Sequence, residues 1–120
     1  MATILVIEDE AHILDNVMEI LSLEGFDVLG APGGPSGLNL ARQRRPDLIL
    51  CDIRMPDLDG FGVLDALRGD RATAQIPFVF LTAHADGSSI EHAEASGVDG
   101  YLKKPFEPHQ LLEVVRRWVA

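Results

Sequence analysis

The chain has 120 residues, 47% of them hydrophobic, and ten basic against nineteen acidic side chains give a formal charge of −9 at pH 7. That length carries one packed domain rather than two, and the apolar share excludes a disordered chain. The acidic balance argues against contact with a phosphate backbone, so no nucleic-acid binding is expected of this domain.

Thr3 to Ile7 is a short, apolar, β-branched run and predicts a buried strand. It is broken at once by Glu8, Asp9 and Glu10, so no signal peptide is expected. No stretch reaches the roughly twenty apolar residues of a membrane span, and the protein is expected in the cytoplasm. Ile13, Leu14, Val17, Met18 and Leu21 recur at helical spacing and stop before Gly25. Phe26 to Gly30 reads as a second strand, Gly33 to Gly37 as a turn and helix entry, and Leu38 to Arg45 as a short helix closed by Pro46. Asp47 to Cys51 reads as a third strand, with the lone Cys51 a small core residue.

A loop with Pro56 and the pair Asp59-Gly60 follows, then a helix over Phe61 to Arg68. Pro77 to Leu81 predicts a fourth strand, Ser88 to Ser96 a polar helix of weak periodicity, and Val98 to Lys103 a fifth strand. Pro108 opens a last helix whose apolar face is Leu111, Leu112, Val115, Trp118 and Val119. Strands alternating with helices imply an α/β domain: a parallel five-stranded sheet, joined by right-handed crossovers and covered by helices on both faces.

Ligands of such a sheet bind at the carboxyl ends of the strands. The first strand delivers Glu8 and Asp9 there, the third Asp52, the fourth Thr82 and the fifth Lys104; the second brings nothing ionisable. Carboxylates on adjacent strand ends, about 4.8 Å apart, repel one another by on the order of 4 kcal/mol per pair in a surface-like dielectric. A cation relieves that repulsion, and an oxygen-only ligand set with open water positions suits Mg²⁺. A carboxylate beside Mg²⁺, with an ammonium and a hydroxyl nearby, is equipped to take a phosphoryl group and spread its charge.

Four segments carry a resemblance over essentially the whole length: Ile4-Leu-Val-Ile-Glu-Asp-Glu10, Pro46-Asp-Leu-Ile-Leu-Cys-Asp-Ile-Arg-Met-Pro-Asp-Leu-Asp-Gly60, Pro77-Phe-Val-Phe-Leu-Thr-Ala83 and Gly97-Val-Asp-Gly-Tyr-Leu-Lys-Lys-Pro-Phe106. In this order and spacing they resemble the receiver domain of two-component response regulators, the CheY-like family. The resemblance implies residues 1–120 as one receiver domain with a flavodoxin-like strand order of 2-1-3-4-5. It implies Asp52 as phosphoacceptor, Asp9 as a direct ligand of Mg²⁺, Glu8 acting on the ion through water, and the main-chain carbonyl of Arg54 completing the protein's share of the shell. Thr82 matches the hydroxyl residue that turns toward the phosphoryl group, Lys104 the lysine that pairs with it, and Tyr101 the aromatic switch. The Lys104-Pro105 bond is expected to be cis.

The implied donor is a sensor histidine kinase or a histidine phosphotransfer protein. The implied readout is a surface formed by the fourth helix, fifth strand and fifth helix, offered to a downstream protein, an effector domain or a second copy in a homodimer. The chain would catalyse its own phosphorylation and dephosphorylation without turning over a metabolite, and so would not be an enzyme. His84 and Arg54, each two residues past a site residue, are expected to border the phosphoryl group and tune its lifetime. Tyr101 also fits a half-buried core aromatic, and Arg42, Arg44 and Arg45 fit a solvated helix end. His12, His84, His92 and His109 lack paired metal spacing.

Two other functions fit parts of the pattern. A phosphohydrolase of the haloacid dehalogenase kind uses similar groups, but its Asp-x-Asp motif is missing around Asp9 and the chain is short for a substrate cap. A receiver fold that no longer takes phosphate would be a pure interaction module, yet every matching acid, hydroxyl and lysine is in place.

Overall fold

Residues 1–82 and 87–119 are described by a computed structural model, the backbone alone for 87–90. Five strands alternate with five helices: β1 Thr3–Ile7, α1 Ala11–Leu23, β2 Asp27–Ala31, α2 Gly34–Arg44, β3 Leu48–Asp52, α3 Gly60–Arg68, β4 Phe78–Thr82, α4 Gly87–Ala95, β5 Gly100–Lys103 and α5 Pro108–Arg116. All neighbouring strands are parallel, in the order β2-β1-β3-β4-β5. The expected class and strand order are both found.

Because successive strand residues face opposite sides, the apolar runs feed two cores. Leu5, Ile7, Ile49, Cys51, Phe78 and Phe80 pack with residues of α2 and α3, while Ile4, Val6, Leu48, Leu50, Val79 and Leu81 pack with residues of α1 and α5. Cys51 is fully buried, as its apolar setting implied. The register then aligns the strand ends: Ile7 lies beside Cys51, Asp52 beside Leu81, and Thr82 beside Lys103. The residues that follow β1 and β5, and those that close β3 and β4, therefore emerge along one rim.

Two expectations are corrected. Gly33 to Gly37 is not a turn, because α2 starts at Gly34 with Pro35 in its first turn, where the missing N–H costs no hydrogen bond. The glycines serve close packing instead. A Cβ on Gly37 would stand 2.5 Å from Ile7 Cδ1, and one on Gly34 would overlap the carbonyl oxygen of Leu58. Trp118 is not core, since it is 39% exposed. Leu111 and Val115, four apart, share one line of α5, whereas Trp118 lies past the last helical residue, Arg116, in a turn whose N–H donates to the Val115 carbonyl at 3.1 Å. Leu112, expected on the same face, is only partly buried. Smaller shifts move β2, β3 and β4 one residue toward the C-terminus, so that Asp52 and Thr82 are the last residues of their strands.

Candidate functional site

The site begins with β1. Its apolar residues are fully buried and deliver Glu8 into the interior, where only 1% of it is exposed, while Asp9 next to it remains on the surface. The N–H of Glu8 still donates to Ala31 at the end of β2, at 3.0 Å, which holds the turn in place. β3 ends on Asp52, 8% exposed, whose Oδ1 accepts from the Ile53 N–H at 2.9 Å. β4 ends on Thr82, 3% exposed, and its carbonyl accepts from the Lys104 N–H at 2.7 Å. That bond ties the Lys104-Pro105 segment, with its cis peptide, to the rim.

Glu8, Asp9 and Asp52 each place a carboxylate oxygen within 4.8 Å of the others. The Lys104 ammonium lies 2.7 Å from Glu8 Oε2 and 3.6 Å from Asp52 Oδ1. Burial pushes the Glu8 carboxyl above its ordinary range, the Lys104 hydrogen bond pulls it back, and the charge on Asp52 pushes it up again. Burial likewise raises Asp52, against the attraction of Lys104. One ammonium among three carboxylates leaves the cluster short of positive charge. An oxygen-only donor set with that deficit fits a hard divalent cation such as Mg²⁺. Glu8, Asp9 and Asp52 line a cavity of about 420 Å³ together with Glu10, Ile13, Arg54 and Lys104, so the carboxylates face space that a solvated ion can enter.

Arg54 is exposed at the mouth of that cavity. Tyr101 is 37% exposed on β5, in register with buried Phe80 two residues before Thr82. Lys103 is exposed, whereas the Lys104 side chain is only 11% exposed. His84 lies outside the described residues.

Sequence reasoning missed the direct Glu8–Lys104 pair. It treated Lys104 as reserved for a phosphate, and residues 96 positions apart offer no local signal of contact. It also missed an aromatic chain on the other face of the sheet. The His92 ring of α4 stacks on Phe61 of α3 at 3.8 Å and 10°, and Phe61 meets Phe80 of β4 edge-on at 5.0 Å.

A family model for the response regulator receiver domain matches residues 4–116. The DNA-binding dual master transcriptional regulator RpaA of Synechocystis is 42% identical over 116 residues, which are 97% of this chain and 48% of RpaA. The DNA-binding response regulator MtrA of Mycobacterium tuberculosis is 37% identical over 94% of this chain and 48% of its own length. The chain thus spans about half the length of these curated relatives. Among solved structures, the chemotaxis protein CheY4 of Vibrio cholerae superposes with a TM-score of 0.93 at 31% identity, covering 99% of both chains. The receiver domain of the sensor histidine kinase PA1611 from Pseudomonas aeruginosa, with magnesium coordinated in its active-site cleft, gives 0.91 at 30% identity over 98% of this chain and 96% of that one.

Proposed function

Because this chain belongs to the response regulator receiver domain family, we propose that residues 1–120 form a receiver domain in which Asp52 accepts a phosphoryl group in a Mg²⁺-dependent reaction. The observation that carries this reading is the meeting of three carboxylates and one ammonium at the aligned strand ends. Asp9, Asp52 and the Arg54 carbonyl would hold the ion, with Glu8 acting on it through water. When bound, Mg²⁺ neutralises charge on the phosphoryl oxygens. An Asp52 oxygen attacks phosphorus, the bond from phosphorus to the donor's imidazole nitrogen breaks, and the imidazole leaves with the bonding pair. Lys104 supplies positive charge to the phosphoryl oxygens, and the Thr82 hydroxyl donates to one of them. Movement of Thr82 lets the Tyr101 ring turn inward, which alters the surface of α4, β5 and α5.

A sensor histidine kinase or a histidine phosphotransfer protein is the donor. A downstream protein, an effector domain or a second copy reads the switched surface. The domain catalyses formation and loss of its own acyl phosphate and turns over no metabolite. The charge of −9 leaves any DNA contact to a different domain. No helix among the described residues is long and apolar enough to cross a membrane, and membership of the receiver family is what supports a cytoplasmic setting.

Intact mass after incubation with acetyl phosphate tests this reading. The wild type gains one phosphoryl group, about 80 Da, with Mg²⁺ and none with EDTA, and Asp52→Ala gains none. An adduct that survives Asp52→Ala would show that another residue is the acceptor.

A further inference from the structure

The main-chain carbonyl of Arg54 belongs to a loop that must hold its shape for the ion to be bound. Residues 53–59 expose Arg54, Pro56, Asp57 and Asp59, while Ile53 and Met55 are buried. The loop is closed on itself: the Gly60 N–H donates to the Ile53 carbonyl at 2.7 Å, and the Leu58 N–H donates to the Pro56 carbonyl at 2.8 Å across Asp57, whose φ is 69°. These two bonds tie Leu58 and Arg54 into the same short closed loop. Displacement of its far corner is therefore felt at Arg54.

That far corner is Leu58, which packs against the core on the α2–α3 face. Glycine lies on both sides of it. A Cβ on Gly34, the first residue of α2, would overlap the Leu58 carbonyl oxygen and stand 2.9 Å from its Cβ. A Cβ on Gly62 of α3 would stand 2.5 Å from Leu58 Cδ1. The two contacts differ in kind. The first is against main chain, which can yield only if the loop moves; the second is against the tip of a side chain that can rotate.

We propose that Leu58, wedged between Gly34 and Gly62, is a positioning residue for the cation site, and that α2 begins with a glycine so that its backbone can serve as the stop that sets the loop. The proposal rests on the metal-binding reading given above. It makes α2, which contributes no ligand, a determinant of Mg²⁺ affinity.

The test is a titration of the full chain with magnesium chloride, followed by amide chemical shifts, with the melting temperature in EDTA measured alongside. Gly34→Ala and Leu58→Ala weaken Mg²⁺ binding about tenfold or more, the usual scale for residues that orient metal ligands. Gly62→Ala has a smaller effect than Gly34→Ala, and Leu58→Met, which refills the wedge, stays near the wild type. A purely structural role would lower the melting temperature and leave the dissociation constant unchanged, and that result would overturn the proposal. Should Gly34→Ala fail to fold, Leu58→Ala, which keeps the Leu58 carbonyl and Cβ against Gly34, decides the role of the Leu58 side chain by the same criterion. Absence of Mg²⁺ binding by the wild type would sink the metal reading itself. Wild-type binding with unchanged affinity in the variants would sink only the role of Leu58.

Discussion

Lys104→Met removes the one ammonium facing two carboxylates that are 1% and 8% exposed. Breaking a buried pair while its partner stays charged costs about 3–5 kcal/mol. The lower end applies here, because the site opens onto a cavity and Glu8 can take up a proton instead. For a domain of this size about 3 kcal/mol corresponds to a fall in melting temperature of roughly 12 °C. Glu8 and Asp52 are already raised by burial, and loss of the ammonium raises them further. A carboxyl raised in the folded state binds protons there before it does in the unfolded chain. Its contribution to stability is therefore full below the unfolded value and is lost as pH rises through the folded one. The deficit of Lys104→Met must accordingly shrink as pH falls toward the unfolded carboxylate range, and Glu8→Gln in the same background must recover most of it at neutral pH. Mg²⁺ at a hundred times its dissociation constant adds about 2.7 kcal/mol to any form that binds it. Urea denaturation at several pH values, with EDTA and with Mg²⁺, measures all of this. A variant as stable as the wild type at pH 8 in EDTA, or a deficit that grows on acidification, would refute the reasoning.

Asp52→Asn relieves like-charge repulsion in the cluster, so the metal-free form should gain about 1 kcal/mol in urea denaturation, within the usual range for surplus charge at a functional site. The stabilisation by Mg²⁺ should drop in the same titration. Asp57→Gly removes left-handed strain of about 1–2 kcal/mol and adds unfolded-state entropy of about 0.5–1 kcal/mol. A net gain of about 0.5 kcal/mol is expected, and a loss would mean that the Asp57 side chain contributes more than its φ costs. His92→Ala loses the stack on Phe61, worth about 0.5–1.5 kcal/mol. Native-state hydrogen exchange should show that loss as faster exchange in α4, with β1 and β3 unchanged.

The strands were legible because each is a short apolar run punctuated by turn residues, and the carboxyl-end rule then gathered Glu8, Asp9, Asp52, Thr82 and Lys104 without coordinates. Strand order came from resemblance, since parallel strands of similar composition carry no local mark of their neighbours. The start of α2 was misread because Gly33, Gly34, Pro35 and Gly37 are turn formers by propensity, whereas here Gly34 and Gly37 answer to tertiary crowding by Leu58 and Ile7. Trp118 was misread because its helical spacing from Leu111 and Val115 implies a helix that runs on, whereas α5 ends at Arg116. The Glu8–Lys104 pair was invisible for a different reason: it depends on how deeply Glu8 is drawn in, which only the packed structure fixes.

The central claim is that Asp52 carries the phosphoryl group. Hydride reduction of the protein after incubation with acetyl phosphate and Mg²⁺ converts an aspartyl phosphate to homoserine, and peptide mass mapping then locates the change. Homoserine at position 52, absent with EDTA, is the predicted result. Homoserine at Asp9 or 5-hydroxynorvaline at Glu8 instead, or no reduced residue anywhere when a beryllofluoride complex also fails to form, would contradict the account.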